Sequence, residues 1–389
     1  MSKLKTEFLG ITFPNPYILG AGPPTANGPM IKDAFDAGWG GAVLKTLALD
    51  PTPPPSPRLQ VLKRGDQLAG MVNLELITEM TLDRWESDLD LVRSAHPTRP
   101  IIASIMGGND PGEWQAIVHR FETWVDAYEL NVSCPNFAEG KGAQLGQDPN
   151  SLAKVVGWVK DATELPVIAK LTPNVTDIVS LARVAKEAGA DAITATNTLS
   201  GLAGIDLETF SPLPSVDNIG IYGGYSGPGL KPVSLRCVAS IAQAVDVPLI
   251  GCGGIVTWQD AAEYVAVGAS LVQICTSAMW QGYEIINKLT RKLEQYLDQN
   301  NYDSLADIRR KALPNIVTYF DLNLSLRLLA VVDEEKCEGC SKCVKACNSG
   351  GYQAVTMIGD LAGVSPQLCD GCGLCEGVCP EEAIEMVAA

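Results

Sequence analysis

Eight cysteines near the C-terminal end carry a recognisable chemistry. Cys337, Cys340, Cys343 and Cys347 follow the spacing C-x2-C-x2-C-x3-C. Cys369, Cys372, Cys375 and Cys379 repeat it, and Pro380 follows the last. Thiolates at this spacing hold a pair of 4Fe–4S clusters, the fourth cysteine of each run serving the other cluster. The expected ligand sets are Cys337, Cys340, Cys343 and Cys379 for one cluster, and Cys347, Cys369, Cys372 and Cys375 for the other. Such a unit moves single electrons, so the rest of the chain should accept or supply them. Two other readings stand beside this one. Disulfides would need an oxidising compartment, and the charged N-terminal residues 1–7 lack an apolar signal core. Zinc also binds paired C-x2-C units, but its sites rarely use the quadruple run twice.

The other residues that could do chemistry follow short apolar runs. They are Lys45-Thr46, Asn131-Val132-Ser133-Cys134-Pro135-Asn136, Lys170 with Thr172, Asn197-Thr198, Gly251-Cys252-Gly253-Gly254 and Cys275-Thr276-Ser277. The last two sets are small enough for backbone N–H groups to approach a phosphate, although tight strand-to-helix turns use glycine as well. Beside iron–sulfur clusters the phosphate ligand that fits is FMN, which exchanges one electron with clusters and two with an organic substrate. Lys45 and Lys170 could then stabilise an anionic reduced ring; the plainer reading makes them solvated strand-end residues. Gly20-Ala21-Gly22 is followed by Pro23-Pro24. Prolines cannot supply the N–H groups of a dinucleotide turn, so nicotinamide is expected on a second protein. His96 and His119 lie away from these sets and read as structural or surface residues. Cys134, between Ser133 and Pro135, can donate a proton while still a thiol, or be a small buried hydrophobe. Cys237 and Cys252 have no supporting neighbours and read as structural.

The elements that must position these groups can be read from the pattern. Apolar runs at 17–19, 42–44, 101–105, 128–132, 167–171, 192–196, 248–251 and 271–275 alternate with helical stretches. Eight such strands separated by helices predict an α/β fold, a (β/α)8 TIM barrel whose chemistry sits at the C-terminal strand ends. Helical spacing is clearest at 178–188, with Ile178, Leu181, Ala182 and Ala185 on one side. It recurs at 232–245 and 258–267, and two further helices are expected at 283–298 and 304–313, packing on the barrel. The predicted domains are an FMN-binding barrel at 1–331 and a double 4Fe–4S ferredoxin domain at 332–389. The chain has 389 residues, 46% of them apolar, enough for a large core. Its net charge of −16 argues against nucleic acid and anionic membrane surfaces. No apolar run reaches the ~18 residues of a membrane span, so a cytoplasmic protein is expected.

The motifs together resemble a known family. Asn131-Val132-Ser133-Cys134-Pro135-Asn136 is similar to the active-site signature shared by class 1 dihydroorotate dehydrogenases and dihydropyrimidine dehydrogenases. The segments Ala42-Val43-Leu44-Lys45-Thr46, Val72-Asn73-Leu74-Glu75-Leu76-Ile77, Ala169-Lys170-Leu171-Thr172-Pro173-Asn174 and Ala195-Thr196-Asn197-Thr198 resemble the second group more closely. So does the appended cysteine unit. The whole looks like the catalytic subunit of bacterial NAD-dependent dihydropyrimidine dehydrogenases. That resemblance implies interconversion of uracil or thymine with the 5,6-dihydropyrimidine. Cys134 would give a proton to one carbon of the double bond and reduced FMN a hydride to the other. Asn73, Asn131, Ser133, Asn197 and Thr198 would hold the pyrimidine edges, amides offering both donor and acceptor. Ala21, Lys45, Thr46, Lys170, Gly227, Cys252, Gly253, Gly254, Cys275 and Thr276 would contact FMN. An FAD- and NAD(P)H-binding reductase subunit would feed the clusters, in a homodimer or a heterotetramer.

Two departures qualify this. The loop after Cys134 reads Asn136-Phe137-Ala138-Glu139-Gly140, where the family has His after Pro, and Asn136 is the residue dihydroorotate dehydrogenases carry there. No arginine stands near the motifs in sequence to meet an orotate carboxylate. Cys347 is followed by Asn348, where ferredoxins often have Pro, but the ligand spacing is kept. A dihydroorotate dehydrogenase or related cyclic-imide ene-reductase is the second reading. An iron–sulfur electron carrier with a vestigial barrel is the third.

Overall fold

The computed structural model describes residues 2–132 and 143–389. By contacts the chain divides into two compact units, Met1–Asn315 and Ile316–Ala389.

The first unit is built on a closed barrel of parallel strands. In order around it these are Tyr17–Leu19, Gly41–Val43, Ile101–Ile105, Ala127–Leu130, Val167–Leu171, Ala192–Ala195, Leu249–Cys252 and Leu271–Ile274. Each expected strand is present, shifted at most by a residue or two at its ends. Their apolar runs are buried on both faces, as strands enclosed between helices and barrel interior must be. The first lies beside the last, with Val272 opposite Tyr17 and Ile274 opposite Leu19. Outside the strands the helices start where side chains cap them. Asp177 accepts from the N–H groups of Val179 and Ser180, and Thr257 forms a reciprocal capping box with Asp260.

An N-terminal hairpin, Thr6–Phe8 against Ile11–Phe13, closes one end of the barrel. Its Phe8 and Phe13 are buried against Ile18, Val43, Ile102, Ile168 and Leu271, one residue from each of five barrel strands. That end is a packed floor, which leaves the C-terminal strand ends for chemistry. Over them stands a four-stranded antiparallel sheet that the periodicity did not suggest. It orders Leu199–Gly201, Gly223–Ser226, Gln67–Asn73 and Leu59–Arg64, with Asn73 opposite both Gly224 and Leu59.

The helix Ile285–Gln299 buries Ile285, Ile286, Leu289, Leu293 and Leu297. The helix expected at 304–313 is not formed. Two short 3-10 turns, Leu305–Asp307 and Leu313–Asn315, stand in its place. Local turn bonds such as Ile308 N to Leu305 O are interrupted by two bonds to a neighbouring helix. Arg310 N donates to Val265 O at 3.2 Å and Ala312 N to Ala266 O at 3.0 Å.

In the second unit, Leu328–Val332 pairs antiparallel with Ile384–Ala388, and Val355–Ile358 with Leu361–Val364. The first of these strands begins before residue 332, where sequence placed the start of the cysteine domain. The helix Lys342–Ser349 carries Cys343 and Cys347, and the short helix Leu374–Gly377 carries Cys375. Among the described residues no helix is long and apolar enough to cross a membrane.

Candidate functional site

One hollow at the C-terminal strand ends is lined by Ala21, Lys45, Thr46, Lys170, Gly227, Cys252, Gly253, Gly254, Cys275 and Thr276. Asn73, Asn131, Asn197 and Thr198 line the same hollow. Strands remote in sequence thus bring together every one of the expected cofactor and substrate residues that is described. Ser133 and Cys134 lie outside the described residues, as does Asn136.

The amides form a linked set. Asn131 Nδ2 donates to Thr46 Oγ1 at 2.9 Å, and Thr46 Oγ1 is 2.9 Å from Ser104 Oγ. Asn197 Nδ2 donates to Asn131 Oδ1 at 3.2 Å, and Thr198 N to Asn197 Oδ1 at 2.7 Å. Asn73 comes from the covering sheet, where its Nδ2 donates to Gly224 O at 2.8 Å. Gly224 leaves room for both neighbours: a Cβ there would sit 3.1 Å from Asn73 Nδ2 and would press on Thr198 Oγ1.

Two buried lysines flank the amides. Lys45 Nζ lies 2.7 Å from Glu75 Oε2, and Glu75 Oε1 accepts from Arg58 Nε. An arginine therefore does stand beside the motifs in space, contrary to the sequence reading; the covering hairpin brings it there, facing Glu75. Lys170 Nζ donates to Glu129 Oε1 at 3.0 Å and to Gln273 Oε1 at 2.9 Å. Neither lysine is the solvated strand-end residue of the plainer reading, for Lys45 is 4% exposed and Lys170 6%. Burial is the largest influence on Lys170 and opposes its charge. The Glu129 carboxylate is the largest influence in the other direction, and the balance leaves the lysine pKa above its ordinary value.

Glu129 and Gln273 were not singled out from sequence. Each is a single polar residue inside an apolar strand, Ala127–Leu130 and Leu271–Ile274, and that interruption was the available signal. Cys252 and Cys275 are kept as thiols: burial raises both, Cys275 to about 12. Neither histidine reaches the hollow. His96 Nε2 is 2.9 Å from Asp36 Oδ1 at the surface, and His119 lies on the helix Pro111–Phe121.

The turn after Leu249–Cys252 forms part of the wall of the hollow. Gly254 has φ +72°, and a Cβ would meet Lys231 N at 2.6 Å and Gly227 O at 2.9 Å. Beyond the last strand, Thr276 Oγ1 donates to Ser226 Oγ at 2.9 Å. Small residues, backbone, hydroxyls and two ammonium groups are a donor set suited to a flavin phosphate and ring.

In the second unit the cysteines surround two separate hollows. Cys337, Cys340, Cys343 and Cys379 line one; Cys347, Cys369, Cys372 and Cys375 line the other. Among the described residues no three His, Cys, Asp or Glu side chains converge on a point that a single ion could fill. Four sulfurs spread around a cavity suit a cubane cluster, whose iron atoms each take one thiolate, better than a zinc ion.

The family model described as dihydroorotate dehydrogenase matches residues 3–297. The chain belongs to the dihydroorotate dehydrogenase family. A second model, the 4Fe-4S dicluster domain, matches residues 330–386. The chain is 36% identical over 358 residues to the NAD-dependent dihydropyrimidine dehydrogenase subunit PreA of Escherichia coli K12, covering 90% of this chain and 87% of that one. It is 36% identical over 330 residues to the chloroplastic dihydropyrimidine dehydrogenase (NADP+) of Arabidopsis thaliana, covering 80% and 78%. It is 38% identical over 309 residues to the dihydroorotate dehydrogenase B (NAD+) catalytic subunit of Pyrococcus furiosus, covering 78% and 97%. Among solved structures, that of a dihydroorotate dehydrogenase from Eimeria tenella with ferulenol superimposes with a TM-score of 0.66 at 22% identity, over 79% of this chain and 88% of that one, a likeness of fold. The family binds FMN and the appended domain two 4Fe–4S clusters, and this chain is an oxidoreductase of that kind.

Proposed function

We propose that this chain interconverts uracil or thymine with the corresponding 5,6-dihydropyrimidine. The observation that carries this reading is the linked amide set in the hollow, in which Asn73, Asn131, Asn197 and Thr198 line one surface with both lysines. A pyrimidine edge alternates carbonyl and N–H groups, and amides can answer both. The cations nearest the amides are already engaged, so none is set aside for an orotate carboxylate. Lys45 and Arg58 already share the Glu75 carboxylate, which would also repel an anionic substrate. The named activity of the Escherichia coli and Arabidopsis relatives agrees with this choice.

When bound, FMN supplies exchange of single electrons with the clusters and of an electron pair with the pyrimidine C5=C6 bond. The residues of the chain hold and protonate. The Gly253-Gly254 turn and Thr276 would hold the phosphate, and Lys45 and Lys170 the ring. Asn73, Asn131, Asn197, Thr198 and Ser133 would fix the pyrimidine over it. Cys134 would donate the proton for one carbon in reduction and take it back in oxidation. The two sets of four cysteines would ligate the clusters. A separate FAD subunit oxidising NAD(P)H would feed them, in keeping with the subunit naming of the relatives.

The test is turnover by the purified full chain with an artificial reductant or acceptor, uracil and thymine against orotate. Cys134→Ala should lower pyrimidine turnover by ~10²–10⁴-fold at unchanged FMN content. Unchanged turnover would remove Cys134 from the mechanism. Faster oxidation of dihydroorotate than of dihydrouracil would favour the second reading, and two clusters without stoichiometric flavin would favour the third.

A further inference from the structure

We infer that Glu129 is a positioning residue that keeps Lys170 protonated in both oxidation states of the flavin, so that flavin reduction draws no proton through this lysine. The inference rests on the proposed placement of FMN in the hollow and deepens it.

Glu129 does not line the hollow. It stands behind Lys170, 0% exposed, at the third position of the strand Ala127–Leu130. Both carboxylate oxygens are engaged. Oε1 accepts from Lys170 Nζ at 3.0 Å, and Oε2 accepts from Thr194 Oγ1 at 2.8 Å and from Gln273 Nε2. Gln273 Oε1 also accepts from Lys170 Nζ at 2.9 Å. Lys170, Glu129 and Gln273 thus close a ring of hydrogen bonds from three different strands. An ammonium has three N–H donors. Two are spent on this ring, and the hollow that Lys170 lines is where the third can act.

A buried carboxylate is costly unless paired, and three donors with one full positive charge are what pair it here. The other titratable groups facing Lys170 are Cys252 and Cys275, which burial keeps as neutral thiols. Glu129 is therefore the counter-charge that keeps this lysine an ammonium. Burial of a lysine without a counter-charge lowers its pKa by several units, up to ~3–5.

The consequence can be written as a proton balance. Two-electron reduction of a flavin with uptake of one proton leaves one negative charge on the ring. With Lys170 already charged, no second proton is needed. In Glu129→Gln, Lys170 would be neutral beside the oxidised ring and would take one proton when the ring becomes anionic. The same two electrons then draw two protons in place of one, and the pH dependence of the flavin midpoint doubles.

The measurement is potentiometric titration of the flavin in the full chain at pH 7–9, with the clusters followed separately by EPR. The wild type should show one proton per two electrons throughout, and Glu129→Gln two. The double variant Glu129→Gln with Lys170→Met should return to one, because Lys170 is no longer there to titrate and Lys45 keeps its Glu75 partner. Thr194→Val, which removes a neutral hydrogen bond to the same carboxylate, should leave the slope at one. A packing role for Glu129 would give none of this pattern. A two-proton slope in the wild type, or equal slopes in wild type and Glu129→Gln, overturns the inference while leaving the proposed function standing. Should Glu129→Gln fail to hold flavin, recovery of flavin in the double variant supports the charge pairing, and loss in both overturns it. A wild-type chain without flavin overturns both the placement and the inference.

Discussion

Gly254 shows how narrowly one residue can constrain the site. Its positive φ is ordinary for glycine, but the contacts forbid a larger side chain independently of conformation. A Cβ would press on Lys231 N and Gly227 O, both backbone atoms with no rotamer to escape into. Gly254→Ala should displace this part of the wall of the hollow. The expected outcome is an FMN affinity at least ~10-fold lower, worth ~1.4 kcal/mol, read as acid-extracted flavin per chain. Gly157 supplies the comparison. It lies within the helix Pro149–Lys160, and a Cβ there would meet nothing within 4 Å. Gly157→Ala should leave flavin content unchanged and stabilise the fold by up to ~1 kcal/mol. Equal flavin in both variants would mean that the turn does not hold the phosphate. At this scale much was legible in the sequence, because Asn131, Lys170, Asn197 and the glycine turn each follow an apolar run. Glu129 and Gln273 were not, because their meaning comes from facing one another across the barrel interior, which no local spacing encodes.

The helix Trp258–Ala266 follows that turn directly, and its first turn is held by Asp260. The carboxylate accepts from Val256 N at 2.9 Å, Thr257 N at 2.7 Å and Thr257 Oγ1 at 2.9 Å, and it pairs with Lys231. Burial is the largest influence on Asp260 and would raise its pKa. The Lys231 pair and the two backbone donors outweigh it, so the folded pKa lies below the ordinary value. A depressed carboxylate pKa stabilises the fold above the unfolded value of ~3.9 and ceases to do so as pH falls through the folded pKa. Asp260→Asn should therefore cost about 1–2 kcal/mol at pH 7, and the gap from wild type should close on acidification below pH ~4. The barrel transition can be followed selectively, since all seven tryptophans precede residue 316. A gap that stays constant with pH would show that Asp260 acts by packing alone. Element by element, the barrel was readable because strands buried on both faces are apolar throughout. The covering sheet was not, because two of its strands are short and carry glycine, Leu199–Gly201 and Gly223–Ser226, and the longer two are partly exposed without a continuous apolar run. Its one local sign was Gly65-Asp66 between Leu59–Arg64 and Gln67–Asn73, a two-residue hairpin turn. The failed helix at 304–313 had helical spacing, but tertiary bonds to Val265 and Ala266 claimed the Arg310 and Ala312 donors and broke it into short turns.

The two compact units differ in what holds them together. The first packs dozens of large apolar side chains around its barrel, Trp39, Trp85 and Trp114 among those fully buried. The second buries little besides its own ligands. Cys343, Cys347, Cys369 and Cys375 are buried with Ala330, Ala354, Ala362, Val355 and Ile384, and the hollows lie among them. A core this small falls below what a domain needs to fold on apolar burial, so cluster ligation must supply much of its stability. Meanwhile Ile316, Val317, Tyr319, Phe320, Leu322, Leu324 and Leu326 at its start stay exposed and contribute no core. Stripping the clusters with a chelator and oxidant should therefore unfold 316–389 and spare the barrel. Limited proteolysis of the stripped protein is expected to cut within 316–389 and leave a resistant product ending near Asn315, with an unchanged tryptophan transition. Equal resistance of stripped and intact protein would show that the second unit folds without its clusters. Loss of the tryptophan transition on stripping would show instead that the barrel depends on them.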